Sequence, residues 1–219
     1  MFSRGICFDL DGTLIDSGPG GFVQLCKVVK KLNLPMNPQI EAKLRAMWGQ
    51  HPAKLIQSAW PNADIGQFYK EWEELDMTQP FPVFPETHDV LSGLHSNHFY
   101  LSILTSRNLR TATAQLKHNN VLHFFGKVVA GNSGPYKKPD PRSIEPIFEK
   151  YRDFGINPKT SIFVGDTVEG DWKLAQAVDI EFFAVLSGGM DTREKFLSAG
   201  VPRSHIIDSV ADLPRILLD

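Results

Sequence analysis

The sequence predicts an α/β protein: a doubly wound parallel sheet with a module of helices inserted after its first strand. Three observations lead to this prediction. A short apolar run over residues 6–10 ends at an Asp-Gly turn close to the start of the chain. Residues 22–79 then show apolar side chains at helical spacing and no strand-like run. From Glu86 onward, strand-like runs alternate with helical segments, which is typical of a parallel sheet covered by helices.

The first predicted strand carries two carboxylates at its end, Asp9 and Asp11. Gly12 follows them, and the Asp-Gly dipeptide favours a turn. On an extended strand the two side chains would share a face, whereas a turn lets them reach one point from different directions. Two negative charges held so close need a cation, a shared proton or bulk water. A lone DxD pattern is also compatible with one solvated and one capping carboxylate.

The segment from residue 18 to residue 84 is predicted to be a separate helical domain. It begins with Gly18–Gly21 and ends with Pro80–Pro85, and both segments disfavour helix. The core domain then comprises residues 1–17 and 85–219. Apolar spacing predicts four helices in the insert, at residues 22–32, from Asn37-Pro38 to about Gly49, at 52–60 and at 65–77.

The rest of the chain alternates between helices and strands. Strands are predicted at 100–104, 127–130, 161–164, 182–186 and 206–207. Helices are predicted at 86–95, 109–118, 144–154, 172–178 and 192–197, with a final helix up to residue 217. Ligands of such sheets bind beyond the carboxyl ends of the strands, so polar side chains just past a strand are candidates for a site.

Polar residues follow the later strands as well as the first. Taken alone, each has a structural explanation: a helix cap for a threonine, a solvated side chain for a lysine, and a favourable charge at a helix N-terminus for an aspartate. Because all of these polar residues lie after predicted strands, one shared site is favoured over several separate structural roles. These residues are Thr105, Lys138, Asp166 and Asp171.

Composition excludes several classes of partner. The 219 residues carry a net charge of −2 and are 42% hydrophobic, so no strong basic field is available for nucleic acid or an acidic membrane surface. Cys7 and Cys26 form neither a CxxC nor a metal motif, and two cysteines argue against a disulfide framework. No apolar run reaches membrane-spanning length. We predict a cytoplasmic protein, and the sequence is silent on its oligomeric state.

Four motifs resemble those of the haloacid dehalogenase superfamily, in the same order and with similar spacing. They are DLDGT at 9–13, Thr105 within LSILTS, Lys138 within KKPDP, and GDTVEGD at 165–171. The superfamily pattern of lysine before proline selects Lys138 over Lys137. The insert resembles the small helical cap of the phosphoglycolate phosphatase-like branch. The resemblance implies a Rossmann-like core, an inserted four-helix cap domain and phosphatase activity.

The resemblance also implies roles for the residues of the four motifs. Asp9 would be the nucleophile that forms an aspartyl phosphate. Asp11 would protonate the leaving oxygen and then activate water. Thr105 would bind a phosphoryl oxygen, and Lys138 would neutralise phosphoryl charge while holding Asp9 in place.

Mg²⁺ is the implied cofactor, because the donors available to it are hard oxygens. The expected ligands are the carboxylates of Asp9 and Asp166 and the backbone carbonyl of Asp11, together with waters. Asp171 would bind the ion directly or through water. The ion would remove the repulsion between the nucleophile and an anionic substrate.

The expected substrate is a small phosphorylated metabolite, a phosphoglycolate-like ester or a sugar phosphate. Cationic and polar residues at a junction between cap helices are candidates for binding it, with an ordinary solvated junction as an equal alternative. The two residues after Thr105 are further candidates. The predicted substrate-binding residues are Arg45, Gln50, His51, Lys54, Ser106 and Arg107.

Two other functions remain open from the sequence. A sugar phosphomutase shares the four motifs and differs in its cap. A phospho-accepting regulatory module also has an acidic pocket, a hydroxyl residue and a lysine, but it lacks the helical insert and the DxDGT motif. Asp11 counts against dehalogenation, because haloacid dehalogenases lack the second aspartate of DxD.

Overall fold

The computed structural model describes residues 2–48 and 52–218. The chain forms two compact units: a core unit of Met1–Gly18 and Phe81–Asp219, and a cap unit of Pro19–Pro80. The sequence predicts that the insert ends at residue 84, whereas the structure places the boundary after Pro80. The physical reason lies in the hydrogen bonds of residues 81–84, described below.

The strands of the core unit form one parallel sheet, as the sequence predicts. Its order is β3-β2-β1-β4-β5-β6. β2 and β3 lie on one side of the central strand β1, and β4, β5 and β6 lie on the other. The direction of strand order therefore changes at β1, which makes its carboxyl end the topological switch point of the sheet. The strands are β1 (Arg4–Phe8), β2 (Phe99–Leu104), β3 (Phe125–Val129), β4 (Ile162–Gly165), β5 (Glu181–Val185) and β6 (Ile206–Ile207).

One group of helices makes up the cap unit, and a second group, within the core unit, covers the sheet. None of the described helices is long and apolar enough to cross a membrane. A π-helical turn, Val168–Trp172, precedes α8. The helices are α1 (Gly18–Lys31), α2 (Pro38–Ala46), α3 (Pro52–Ala59), α4 (Ile65–Thr78), α5 (Thr87–Ser96), α6 (Leu109–His118), α7 (Glu145–Asp153), α8 (Lys173–Val178), α9 (Arg193–Ser198) and α10 (Leu213–Leu217).

Two apolar clusters lie on the two faces of the sheet. Successive residues of β1 point to opposite faces, so Ile6 and Phe8 belong to one cluster and Cys7 to the other. Leu94 of α5 joins the first cluster and Tyr151 of α7 the second. Because both faces are buried, the strand reads as a continuous apolar run and not as an alternating one.

The cap unit has a core of its own. Each of its helices contributes buried side chains, which include Leu25 and Val28 of α1, Leu44 of α2, Ile56 of α3 and Phe68 of α4. This shared core follows from the helical spacing of apolar residues seen in the sequence.

Residues 81–84 belong to the core unit because their backbone is bound to it. The amide of Phe81 donates to Oε1 of Gln115 (2.9 Å), and the amide of Val83 donates to Oδ1 of Asn119 (3.2 Å). The carbonyl of Pro82 accepts from the amide of Asp16 (2.9 Å). The proline-rich segment is therefore non-helical, as its sequence dictates, but it is held in place along its length.

Gly5 allows β1 to pack closely against Tyr151 of α7. A Cβ at this position would lie 2.5 Å from ring atoms of Tyr151, which is fully buried and whose hydroxyl bonds to Oγ of Ser102 (2.7 Å). We expect Gly5→Ala to lower the free energy of unfolding by about 1–3 kcal/mol, the usual cost of overpacking, measured by urea denaturation. Gly93→Ala is the control, because its Cβ would meet nothing within 4 Å on α5. Equal effects at both positions would contradict this account of the packing.

Candidate active site

Three polar side chains emerge where neighbouring strands end at the same level. Phe8 of β1 pairs with Ile103 of β2 and Val164 of β4, so the residues that follow these three lie at one edge of the sheet. The amide of Asp9 donates to the carbonyl of Val164 (2.8 Å), which continues the ladder to the carboxylate. The three side chains past these ends are those of Asp9, Thr105 and Asp166.

Lys138 connects two carboxylates of this edge. Its Nζ lies 2.8 Å from Oδ1 of Asp9 and 2.7 Å from Oδ1 of Asp171, and only 6% of its side chain is exposed. Lys137 is exposed, so Lys138 is the inward lysine that the motif predicts. A single buried ammonium thereby holds both aspartates.

Asp171 is fully buried and accepts hydrogen bonds at both oxygens. Oδ1 accepts from Lys138, while Oδ2 accepts from the amide (3.0 Å) and the hydroxyl (2.7 Å) of Thr167. Asp171 belongs to the π-helical turn, so its bond to Lys138 connects this turn to the lysine. Gly165 is needed for this approach, because a Cβ there would lie 2.5 Å from the carboxyl carbon of Asp171.

Asp166 has a buried oxygen, Oδ2, for which the described part of the chain provides no hydrogen-bond partner. Backbone packs closely around this oxygen: a Cβ at Gly12 would lie 2.0 Å from it, and one at Gly188 2.5 Å. One carboxylate oxygen from each of Asp9, Asp166 and Asp171 lies within 4.8 Å of the others. Such a set of hard oxygen donors could hold a divalent cation.

The electrostatics of the cluster reflect this crowding. Burial raises the pKa of Asp9 to about 7, with Lys138 acting against the shift and Asp171 adding to it. Burial, together with the neighbouring Asp9 and Asp171, also raises the pKa of Asp166 well above its usual range. For Lys138, burial acts to lower the pKa, but Asp171 and Asp9 outweigh it and raise the pKa.

Asp11 points to a different partner, Arg107. Nη2 of the arginine lies 2.5 Å from Oδ1 of Asp11, and Nε lies 3.1 Å from Oδ2. Burial acts to raise the pKa of Asp11, but the arginine outweighs it and lowers the pKa. Thr105 is buried, and its Oγ1 accepts from the amide of Arg107 (3.1 Å), so the threonine also supports the local turn. Ser106 beside it is exposed.

The structure describes two of the four cap residues that are predicted to bind substrate. Arg45 donates to Oε1 of Glu41 from Nε (3.0 Å) and Nη2 (2.7 Å), and its guanidinium lies 4.0 Å from the ring centroid of Phe22. Lys54 is exposed on α3. Gln50 and His51 lie outside the described residues.

Two residues that the sequence does not single out support the site. Oδ2 of Asp191 accepts from the amide of Val168 (2.7 Å) and anchors the π-helical turn. Gly188 packs against Gly12 and Asp166. Both lie in the loop after β5, and their contacts span many residues, so no local pattern could have revealed them.

Comparison with known proteins gives one consistent result. A family model described as haloacid dehalogenase-like hydrolase matches residues 6–185. A phosphoglycolate phosphatase from Nitrosococcus oceani is 25% identical over 226 residues, covering 97% of this chain and 95% of the relative. One from Vibrio cholerae is 27% identical over 175 residues, covering 74% and 75%.

Solved structures share the fold. The crystal structure of a predicted phosphoglycolate phosphatase from Haemophilus somnus has a TM-score of 0.78 at 23% identity and covers 98% of this chain and 97% of its own. A proposed β-phosphoglucomutase from Thermotoga maritima has a TM-score of 0.76 at 18% identity, with 99% of each chain covered. At these identities the likeness concerns the fold alone.

The crowding of carboxylates generates a prediction for stability without metal. In EDTA at neutral pH, Asp166→Asn should raise the melting temperature, because it removes a carboxylate whose ionised form is destabilised in the fold by burial and by Asp9 and Asp171. Each kcal/mol of relieved repulsion corresponds to about 2–4 °C for a chain of this size. Asp153→Asn, an exposed carboxylate on α7, is the control and should leave the melting temperature unchanged. A lower melting temperature for Asp166→Asn, measured by calorimetry, would contradict the repulsion.

Proposed function

The chain belongs to the haloacid dehalogenase-like hydrolase family and is a hydrolase of phosphoric monoesters, and we propose that it acts with Mg²⁺ through an aspartyl phosphate. The observation that carries the proposal is the setting of Asp9. Its carboxylate lies at the switch point of the sheet, paired with Lys138 and near Asp166, one oxygen of which has no hydrogen-bond partner among the described residues. A nucleophile, a cation and a candidate metal ligand therefore converge on one point.

The residues present fit Mg²⁺. The donors are hard oxygens, and Oδ2 of Asp166 is buried with no hydrogen-bond partner in the part of the chain that the structure describes. The backbone at Gly12 and Gly188 leaves no room for a side chain around it. We assign Asp9, Asp166 and the backbone carbonyl of Asp11 as ligands. The three protein donors already bound to Asp171 favour its contact with the ion through water. When bound, Mg²⁺ would neutralise carboxylate and phosphoryl charge.

The side chains of the core unit account for both chemical steps. An oxygen of Asp9 attacks phosphorus, the bond to the ester oxygen breaks, and protonated Asp11 gives its proton to the leaving oxygen. Arg107 lowers the pKa of Asp11 in the free protein, and the negative charge of the bound ester acts in the opposite direction, towards the protonated form. In the second step Asp11 takes a proton from water, whose oxygen attacks phosphorus and releases Asp9 and phosphate. Lys138 holds Oδ1 of Asp9, which leaves Oδ2 for the attack. Thr105 and Lys138 donate to phosphoryl oxygens.

The substrate is proposed to be a small phosphorylated metabolite of the cytoplasm. The similarity to phosphoglycolate phosphatases supports a phosphoglycolate-like ester, and a sugar phosphate is the wider class. The residues proposed to bind the part of the substrate beyond phosphorus are Ser106, Arg45, Gln50, His51 and Lys54, whereas the guanidinium of Arg107 is engaged with Asp11.

A sugar phosphomutase is the second candidate, because the four motifs of the core unit are shared by both kinds of enzyme. A mutase keeps its aspartyl phosphate until another sugar hydroxyl accepts it, whereas a phosphatase releases phosphate to water. Free phosphate in equal amount to the alcohol formed identifies the phosphatase. Interconversion of sugar phosphates without free phosphate would identify the mutase.

Metal removal tests the proposed cofactor. Excess EDTA should abolish hydrolysis of p-nitrophenyl phosphate and 2-phosphoglycolate, and added Mg²⁺ should restore it. Without substrate, Mg²⁺ at 100 times its dissociation constant should stabilise the native protein by about 2.7 kcal/mol, seen as a higher melting temperature. Asp166→Asn should lose this shift and Asp153→Asn should keep it. Full turnover in EDTA would refute the assignment.

Substitution of the nucleophile tests the intermediate. Asp9→Asn should retain its fold by circular dichroism and lose essentially all turnover, because an amide oxygen is a poor nucleophile. Rapid acid quench of the native protein with a phosphoryl-labelled substrate, followed by peptide mapping, should find the label on Asp9. Asp153→Asn should be labelled like the native protein. Recovery of the label on Thr13, Ser17 or Thr105 would contradict the mechanism.

A further inference from the structure

The contact between Arg107 and Asp11 has the geometry of a fork. Nη2 approaches one carboxylate oxygen (2.5 Å) and Nε the other (3.1 Å), so the guanidinium and the carboxylate lie side by side. The arginine side chain is 11% exposed and that of the aspartate 34%. Two parallel hydrogen bonds fix the plane of a carboxylate, which a single contact does not.

Arg107 is itself held from several directions. Its amide donates to Oγ1 of Thr105 (3.1 Å), and its carbonyl accepts from the amide of Gly131 (2.8 Å). Its guanidinium lies 5.6 Å from the ring centroid of Phe81, a buried residue of the segment bound to α6. These contacts within the core unit fix the position of Arg107 and therefore the position of the fork.

The backbone at Asp11 is fixed by a turn, so only the side-chain torsions of Asp11 remain free to vary. The turn places Gly12 at a φ of 75°, and the amide of Gly12 donates to the carbonyl of Ile15 (2.9 Å). With the backbone set, the torsions of the Asp11 side chain decide where its oxygens point. The fork of Arg107 restricts these torsions at both oxygens, and a hydrogen bond from Ser17 adds to it.

We propose that Arg107 is a positioning residue, which holds the Asp11 carboxylate in the orientation that serves the leaving oxygen of the substrate. The inference rests on the proposed phosphatase mechanism and gives Arg107 a role different from direct substrate binding. Its physical basis is pre-organisation: a displacement of about 1 Å in a reacting group can lower a rate by about 10²-fold. Lysine retains the charge but contacts the carboxylate at one point, so it cannot replace the fork.

The test uses leaving groups that differ in their need for a proton. p-Nitrophenolate leaves as a stable anion, whereas the alkoxides of propyl phosphate and 2-phosphoglycolate need the proton of Asp11. The ratio kcat/KM covers the steps up to transfer onto Asp9, so it reports the protonation step separately from hydrolysis of the intermediate. The leaving group of propyl phosphate carries no further charge, whereas that of 2-phosphoglycolate carries a carboxylate. Comparison of the two esters therefore separates an effect on proton transfer from an effect on binding of the second anion.

Arg107→Lys and Arg107→Met are compared with the native protein on all three esters. We expect kcat/KM for both alkyl esters to fall about 10- to 100-fold, within the range of general acid catalysis, and that for p-nitrophenyl phosphate to change by less than about 3-fold. In an Asp11→Asn background, Arg107→Lys should have little further effect. Arg152→Lys is the control, because Arg152 pairs with Glu145 on α7 and should change no ratio between substrates.

The ratio of kcat/KM values for two substrates does not depend on which fraction of a variant is folded, so incomplete folding cannot imitate the expected result. Equal losses on all three esters would overturn the proposal in favour of a structural role. A loss confined to 2-phosphoglycolate and expressed in KM would overturn it in favour of substrate binding. A native protein that cleaves none of the esters would refute the phosphatase mechanism and this role together, whereas the first two outcomes refute only the role.

Discussion

The buried ion pairs of Lys138 are the interactions on which the rest of the site depends. Asp9, Asp166 and Asp171 present oxygens within 4.8 Å of one another, and Lys138 lies within hydrogen-bond distance of two of them. Loss of one partner of a buried pair costs about 3–5 kcal/mol, because the remaining charge is left uncompensated. The lysine therefore makes it possible to bury Asp9, the proposed nucleophile, next to two further carboxylates. Burial, with Asp171 adding to it, still raises the pKa of Asp9 to about 7.

The sheet provides the rigidity that this charge cluster needs. β1 is central, buried on both faces and in register with β2 and β4, so the residues after Phe8 have little freedom. The carboxyl ends of its neighbours bring Thr105 and Asp166 to the same edge. The site is thus a consequence of parallel pairing: polar residues far apart in sequence meet because their strands end together.

Two carboxylates of one DxD motif have different surroundings and therefore suit different tasks. Asp9 faces Lys138 and the acidic cluster, while Asp11 faces Arg107. The arginine favours the charged form of Asp11, which is the form that accepts a proton from water in the proposed second step. Environment, more than residue type, separates the proposed nucleophile from the proposed acid and base.

The sequence alone determined the fold class, the helical insert and the polar residues at strand ends, because apolar periodicity and turn residues are local properties. One error is local: Gly18–Gly21, predicted to be non-helical, form the first turn of α1. The other errors lie where distant contacts decide. Residues 81–84 have the composition of a linker, yet Gln115 and Asn119, 34 and 36 residues from their partners, bind them to the core unit. The edge strand β3 is Phe125–Val129 instead of the predicted 127–130, since its side chains are only partly buried and its ends follow from pairing with β2. Only the tertiary structure decided that Asp11 pairs with Arg107 and that Asp171 binds Lys138, across 96 and 33 residues, because the direction of a side chain depends on the neighbours that folding brings to it.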